Sequence, residues 1–278
     1  MKKLKRMQKK ILNKYDKNKN KFISINEYLD VEVSKGPLEK EGDIEYNYQK
    51  WDNFYNFFVL LKLKKITAFK ILCVPKFVLK YNKYVQRTSV MIDLYLGKYY
   101  LPESMINEIS RCKKENIRIV YFSFVIKVSK SYFTHANVII IDLKKKTIER
   151  FEPYGYSKWY DSKFVDKIFI KKILKFLELD NFKYLAPEII SNKVGIQKKG
   201  DSFCGMCITI SMMYLLMRVL NVDVKQKEIV KYFLKFSKPT LQKKILKFAK
   251  YVERTLKKNS SLVKHMDFKL YNNMIDDI

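Results

Sequence analysis

Two of the chain's four cysteines, Cys204 and Cys207, lie in the stretch QKKGDSFCGMC, at the start of an apolar run that ends at Met217. A zinc site needs four ligands, and only two histidines and two isolated cysteines remain to complete one. A thioredoxin-like CxxC pair belongs to a small βαβ unit near an early strand, whereas this pair comes after 200 residues. We therefore predict no metal bound by these cysteines and no cofactor. Nucleophilic catalysis, packing and thiol–disulfide exchange remain as uses for the two thiols.

Cys204 is in the position that best suits a nucleophile. The 14 uncharged residues from Cys204 to Met217 favour a buried helix that begins at the cysteine. Unpaired backbone N–H groups and the positive end of the helix dipole lower the pKa of a thiol there and favour the reactive thiolate. Gly205 leaves room for a substrate backbone to approach. Cys207, one turn further into the helix, is predicted to pack.

A thiolate nucleophile needs a partner that transfers protons, and the chain offers two histidines for this role. His265 lies in a charged C-terminal segment and is expected to be solvated. His135 opens the aliphatic stretch HANVIIIDL, where an imidazole at the end of a strand can face a cleft. A single histidine at a strand end is usually structural, but its combination with a cysteine at a helix start favours a catalytic role.

The third group should orient the imidazole. If HANVIIIDL and TIERFEP pair as a hairpin across the polar turn KKK, the end of the second strand returns to the start of the first. Glu152 would then lie beside His135, accept its N–H and fix its tautomer. Asp142 lies at the wrong end of this hairpin. Asn137 is near enough to be the alternative to Glu152.

The order His135, Glu152, Gln197, Cys204 resembles the clan of cysteine proteases that includes the adenovirus proteinase and the ubiquitin-like-protein-specific proteases. In that clan the histidine opens a strand, the acid closes the next strand, and a glutamine shortly precedes the cysteine. CGMC resembles the Cys-Gly start of the clan's central helix, and Asp201 resembles an aspartate that many cellular members carry. The stretch HANVIIID…KKTIERFEPYG is also similar to uncharacterised protease-like proteins of large DNA viruses.

The resemblance covers roughly residues 115–222 and implies a papain-like, adenain-like α+β fold. In such a fold a central, mostly antiparallel sheet packs on a buried helix that carries the nucleophile at its N-terminus, with further helices outside. The resemblance also implies that the side-chain amide of Gln197 joins the Cys204 backbone N–H as an oxyanion hole. Ala136 stands where the clan often has an aromatic residue, and the loop QKKGDSF is more basic than usual, so substrate contacts are not carried over.

The implied activity is a cysteine-type peptidase that cleaves peptide or isopeptide bonds after Gly-containing sites. The substrate would be a protein, either a viral structural precursor or a conjugate of ubiquitin, SUMO or another ubiquitin-like modifier. The alternative is a catalytically inactive basic protein that binds nucleic acid or is packed in a virion.

The charge of the chain also bears on its partners. The 278 residues carry a formal net charge of +29, and only seven of the 57 basic residues are arginine. Lysine suits contact with phosphates, whereas the arginine fork is the usual reader of bases. We therefore expect non-specific affinity for nucleic acid through lysine-rich surfaces, without sequence readout.

Compartment is predicted from the cysteines and the apolar runs. Four unevenly spread cysteines do not form a disulfide framework, which favours free thiols in a reducing, intracellular compartment. For a viral protein this would be the host cytoplasm or the virion. Neither a signal peptide nor a run of membrane-spanning length is found, so no membrane association is expected.

Three segments are predicted. Residues 1–42 form a basic helical extension, 43–258 the protease domain, and 259–278 a C-terminal tail. Within the extension, DKNKNKFISINE resembles an EF-hand calcium loop, with Lys21 where the sharp turn wants glycine and only two carboxylates among the ligand positions, so a polar helix-turn-helix is the alternative. Those ligand positions are Asp16, Asn18, Asn20, the Phe22 carbonyl, Ser24 and Glu27. Strands are expected between 117 and 153 and at 183–190, and helices at 51–63, 161–179, 204–220, 225–236 and 239–257.

Overall fold

A computed structural model of the chain describes residues 71–81, 84–130, 134–155, 160–191, 193–200 and 206–257. The predicted extension 1–42 with its EF-hand-like loop, the helix at 51–63 and the tail 259–278 lie outside these residues, so they stay predictions, as do the domain boundaries.

The strands and helices of the described residues are as follows. The strands are β1 (Leu72–Cys73), β2 (Val78–Tyr81), β3 (Tyr84–Arg87), β4 (Ser89–Asp93), β5 (Lys98–Tyr100), β6 (Ile119–Lys127), β7 (Thr134–Asp142), β8 (Thr147–Phe151) and β9 (Lys183–Leu185). The helices are α1 (Met105–Lys114), α2 (Ser162–Ile168, continued by a π-helical segment, Phe169–Leu174), α3 (Pro187–Ile190), α4 (Ile196–Gly200), α5 (Cys207–Leu220), α6 (Gln226–Leu234) and α7 (Lys238–Lys257).

Strands β6, β7 and β8 form the centre of a seven-stranded sheet and run antiparallel in succession, as the sequence predicts. Most of their residues are β-branched, aromatic or aliphatic, which suits strands that are buried on both faces. The turn between β7 and β8 contains the predicted KKK, with Lys146 in the left-handed region at a φ of 50°. The β-branched composition of these segments and one polar turn are therefore enough to predict this hairpin.

The rest of the sheet differs from the expected mostly antiparallel arrangement. Strands β1 and β4 both pair parallel to β6, β9 pairs parallel to β8, and β5 pairs antiparallel to β4. Half of the six pairings in this sheet are therefore parallel, and the described sheet is mixed. Parallel pairing needs a long crossover, and a local pattern of residues carries no information about such a distant partner.

Helix α5 lies against one face of the sheet. Every residue from Ile208 to Leu220 is buried, and the helix packs with β7 residues such as Val138 and Ile140 in one apolar core. Helices α1 and α2 cover the opposite face. The predicted central buried helix is thus present, but the described helix begins at Cys207, and Cys204 lies among residues 201–205, outside the described part of the chain.

A short segment and a pair of cysteines depart from the sequence predictions. The stretch at 183–190, expected to be one strand, ends as a strand at Leu185, because Pro187 starts a helical turn. Cys73 on β1 and Cys112 on α1 form a disulfide, so the expectation that these cysteines are free thiols is wrong for this pair.

None of the described helices is long and apolar enough to cross a membrane.

Candidate active site

The pairing of β7 with β8 brings His135 and Glu152 together. Val138 is opposite Phe151 in the ladder, so the next position along β8 is Glu152, opposite Asn137. Residues two apart on a strand share a face, which puts His135 diagonally across from Glu152. The His135 Nε2 lies 2.5 Å from the Glu152 Oε1, and both side chains are almost completely buried.

The Glu152 carboxylate makes four hydrogen bonds. Its Oε1 accepts from the Tyr154 backbone N–H at 2.9 Å in addition to the imidazole. Its Oε2 accepts from the Asn137 Nδ2 at 2.9 Å and from the Tyr160 hydroxyl. Asn137, the sequence-based alternative to Glu152, therefore supports the carboxylate. A buried carboxylate is tolerated when its oxygens are bonded in this way.

The pair is held in its charged form. Burial alone lowers the pKa of the His135 imidazole, but Glu152 and Cys207 outweigh it and raise that pKa to about 10. Burial raises the pKa of Glu152, but the charge of His135 and the donors around the carboxylate lower it overall. An imidazolium–carboxylate pair is therefore expected at neutral pH. With Nε2 committed to Glu152, Nδ1 is the ring nitrogen left for a thiol.

The described thiol that reaches His135 is Cys207. It is half-buried at the first residue of α5, and its hydrogen bond to the imidazole contributes to the raised pKa of His135. The sequence predicts that Cys207 packs, so this contact is new. It shows that the N-terminus of α5 points at the His135–Glu152 pair, because the first residue of the helix touches the imidazole.

Gln197 is tied to the turn that follows Glu152. The backbone N–H groups of Gly195 and Gln197 donate to the carbonyls of Tyr154 and Pro153, each at 2.8 Å. Gln197 is 2% exposed and belongs to the short helix α4, whereas the sequence suggests a loop. The residue predicted to hold the oxyanion is therefore anchored beside the residue predicted to orient the imidazole.

The backbone at Gly195 lies so close to the turn after Glu152 that there is no room for a side chain. A Cβ at position 195 would lie 2.1 Å from the Gly155 nitrogen and 2.4 Å from the Pro153 oxygen, and both are backbone atoms. We predict that Gly195→Ala pushes the two segments apart, lowers the free energy of unfolding by about 1–3 kcal/mol and reduces hydrolysis. Thermal unfolding and a peptidase assay would measure the two effects.

Gly97→Ala is the control for this substitution. A Cβ at Gly97 would meet nothing within 4 Å, but the φ of Gly97 is +63°, so alanine there should cost about 1 kcal/mol in stability and spare hydrolysis. Equal losses of activity in Gly195→Ala and Gly97→Ala would contradict a specific role for the close approach at Gly195.

Sequence reasoning missed the polar side chains behind Glu152. Arg150 and Tyr160 lie there together with Asn137, and Arg150 is completely buried. One signal existed for Arg150: a charged residue in the middle of a buried strand must be paired. Nothing in the sequence pattern indicates Tyr160, which lies between the hairpin and α2.

Asp201 lies outside the described residues, as does His265. Ala136 is buried, and its carbonyl accepts from the Ser211 hydroxyl of α5 at 3.3 Å. In the part of the chain that the structure describes, there is no group of three or more His, Cys, Asp or Glu residues that could hold a metal ion.

No family model and no curated protein matches the sequence. Among solved structures, the chain is similar to the C-terminal Ulp1 protease domain in complex with Smt3, the yeast orthologue of SUMO, with 15% identity, 73% of this chain and 75% of that chain covered, and a TM-score of 0.37. It is similar to the Legionella pneumophila effector protein RavZ, with 13% identity, 72% and 62% covered, and a TM-score of 0.38. A third similar structure is AvrA with IP6 and CoA, with 12% identity, 90% and 79% covered, and a TM-score of 0.30.

Proposed function

We propose that the protein is a cysteine-type peptidase in which His135, oriented by Glu152, transfers protons to and from a thiol at the N-terminus of α5. The observation that carries this proposal is the buried His135–Glu152 pair, with Nε2 held at 2.5 Å from the carboxylate and a thiol against the same imidazole. Packing alone would require neither a fixed orientation of the His135 ring nor a buried ion pair at this end of α5.

The proposed reaction follows from these positions. The thiolate attacks the carbonyl carbon of the scissile bond, and the carbonyl oxygen becomes an oxyanion that the Gln197 amide and a backbone N–H stabilise. The imidazolium then gives its proton to the leaving amine, which leaves an acyl-thioester on the cysteine. A water molecule, deprotonated by the now neutral imidazole, hydrolyses the thioester and restores the thiol.

We assign the nucleophile to Cys204. The chain order and the Cys-Gly that follows Gln197 support Cys204, which comes three residues before the first residue of α5 in the sequence. Cys207 is the competing assignment, because it contacts His135. Both assignments describe a thiol hydrolase, and substitution of each cysteine separates them.

The proposed substrate is a protein cleaved after a Gly-containing site, either a viral precursor or a conjugate of ubiquitin or a ubiquitin-like modifier. The resemblance of the His135, Glu152, Gln197 and Cys204 order to the protease clan supports this class. The purified protein should react with a vinyl-sulfone probe of ubiquitin or SUMO or with a Gly-Gly peptide aldehyde, and mass spectrometry should map the vinyl-sulfone adduct to Cys204. No reaction with any of these probes in folded protein would overturn the proposal.

Gln197→Ala should lower kcat by roughly 10²–10³, the usual effect of removing one oxyanion donor. Labelling by a small alkylating agent should change little, because alkylation of a thiolate forms no oxyanion. Lys198→Ala, an exposed neighbour in α4, is the matched control and should keep wild-type turnover. A folded Gln197→Ala protein that retains wild-type kcat would contradict the oxyanion role.

A second proposed role, non-specific binding of nucleic acid, is supported by exposed lysines on and beside α6 and α7. The exposed residues include Lys225, Lys227, Lys235, Lys238 and Lys243. We predict micromolar affinity for DNA or RNA with little sequence preference and a steep loss with added salt. Fluorescence anisotropy at several salt concentrations would measure it.

Two variants test which lysines contribute to nucleic-acid binding. Deleting residues 1–21, which carry ten basic side chains, should make the salt slope shallower, and so should Lys225→Glu combined with Lys227→Glu. An unchanged affinity and slope in both variants would remove these segments from consideration. Hydrolysis by the full-length protein would reject the alternative of a catalytically inactive binding protein.

A further inference from the structure

A buried polar layer lies behind Glu152, on the side away from His135. We propose that Tyr160 and Asn137 are positioning residues, themselves oriented by Arg150, which fix the second oxygen of Glu152 and so keep its first oxygen on His135. The kinetic consequence of this inference rests on the proposed peptidase function.

The two donors meet the carboxylate at one atom. The Asn137 Nδ2 donates to the Glu152 Oε2 at 2.9 Å, and the Tyr160 hydroxyl donates to the same oxygen. The other oxygen, Oε1, is then the one available to His135. With Oε2 bonded twice, rotation of the carboxylate about its terminal bond would break two buried hydrogen bonds, which is costly in a low-dielectric interior.

Arg150 determines which way each donor points. Its Nη1 lies 2.8 Å from the Asn137 Oδ1 and 3.1 Å from the Tyr160 hydroxyl oxygen. A guanidinium group has only donors, so both of these atoms must accept. The amide of Asn137 must therefore turn its NH₂ group toward Glu152. The hydroxyl of Tyr160, already accepting from Arg150, directs its proton to the same carboxylate.

Arg150 is held in turn from its far side. Its Nη2 donates to the Ser162 hydroxyl at 2.7 Å and lies 2.8 Å from the Asp166 Oδ1. Its Nε lies 2.9 Å from the same Asp166 oxygen, to which the Tyr184 hydroxyl also donates at 2.6 Å. The completely buried guanidinium is thus bonded through all three of its nitrogens, so its position is fixed by strands and helix α2 together.

The charges in this layer favour the ionised carboxylate. Burial raises the pKa of Tyr160 well above its ordinary value, and the Glu152 charge raises it further, so the phenol stays a neutral donor. The donors from Tyr160 and the charge of Arg150 contribute to the lowered pKa of Glu152. Among the described residues, the titratable and charged groups that face the His135–Glu152 pair are Arg150 on β8, Tyr154 in the turn after β8, Tyr160 before α2 and Cys207 on α5. Asp166 on α2 and Tyr184 on β9 contact the far side of Arg150 instead.

Tyr160→Phe tests the inference because it removes only the hydroxyl. The chain has two histidines, so an NMR spectrum of ¹⁵N-histidine-labelled protein contains two imidazoles, and His265→Gln identifies the signal of His135. We expect Tyr160→Phe to shift the His135 signal. In the peptidase assay, the acid limb of the pH profile of kcat/KM should move up by about one pH unit, the effect of losing one hydrogen bond to a charged group.

The sign of this shift follows from the carboxylate. A group with a lowered pKa is ionised above that pKa and loses its charge as the pH falls through it. Without the Tyr160 donor, Glu152 binds its proton at higher pH, so activity is lost earlier on acidification. A purely structural role for Tyr160 would reduce the amount of folded enzyme without moving the limb.

Tyr214→Phe is the matched control. Tyr214 is a completely buried tyrosine whose hydroxyl donates to another buried carboxylate, Glu149, at 3.3 Å. Its substitution should leave both the His135 signal and the acid limb in place. Should Tyr160→Phe fail to fold, Asn137→Ala removes the other donor and is expected to give the same two shifts.

The outcomes separate this inference from the proposed function. A folded Tyr160→Phe or Asn137→Ala protein with the wild-type His135 signal would overturn the positioning role, whether or not the protein is a peptidase. A shifted His135 signal in a protein that cleaves no substrate and reacts with no probe would support the positioning role and overturn the peptidase function.

Discussion

Cys204→Ala should abolish hydrolysis and leave the protein folded. The thiolate forms the acyl-enzyme bond, so its removal should lower kcat/KM by about 10⁴-fold or more. The fold should survive, because the substitution lies outside the buried helix Cys207–Leu220 in the sequence. A peptidase assay and a thermal melt on the same preparation would measure both results.

Cys207→Ala is the informative control. It removes the thiol that contacts His135, and we expect a modest loss of stability with most activity retained. An inactive Cys207→Ala protein beside an active Cys204→Ala protein would move the nucleophile to Cys207. Equal loss in both variants, together with a disulfide between positions 204 and 207, would indicate thiol–disulfide exchange instead of hydrolysis.

His135→Ala should be as damaging as loss of Cys204, because members of one catalytic unit do not contribute additively. We expect kcat/KM to fall by about 10⁴-fold or more. Glu152→Gln should retain more activity than His135→Ala, since Glu152 orients the imidazole and does not react. Full activity in a folded Glu152→Gln protein would contradict the assignment.

The pH dependence of kcat/KM gives a second test of the His135–Glu152 pair. The pKa of His135 is raised to about 10, so the imidazolium persists through neutral pH and is lost as the pH rises through about 10. The stability that His135 adds is present in full below its ordinary pKa of about 6.5 and is lost over the same rise. The alkaline limb of kcat/KM should therefore lie near pH 10 in the wild type and at lower pH in Glu152→Gln. A wild-type limb near pH 6.5 would contradict the raised pKa.

The proximity of His135 and Glu152 could be predicted because all the information is local. The two residues are 17 positions apart in one hairpin, and both the β-branched composition of its strands and its polar turn are visible in the sequence. The layer behind Glu152 could not be predicted. Tyr160 lies in a segment without periodicity, and its contact with Arg150 depends on the packing of α2 against the sheet.

Long-range pairings were equally hidden from the sequence. Cys73 and Cys112 are 39 residues apart, and nothing in their spacing shows that β1 and α1 lie side by side. The directions of β1 and β9 depend on crossovers for the same reason. The helix Cys207–Leu220 was predictable because a long uncharged run is itself a local signal. Its first residue was not predictable: the sequence places the helix start at Cys204, whereas the described helix begins at Cys207.

The two pairs of cysteines should respond differently to reductants. Exchange requires a thiolate to reach a disulfide sulfur, and Cys73 and Cys112 are at most 2% exposed, whereas Cys207 is half-buried at the start of its helix. A mild reductant added during purification should therefore keep Cys207 reduced while the cross-link between β1 and α1 survives. The protein can then be handled under conditions that protect a reactive thiol without loosening the sheet, which makes quantitative thiol titration under native conditions practical.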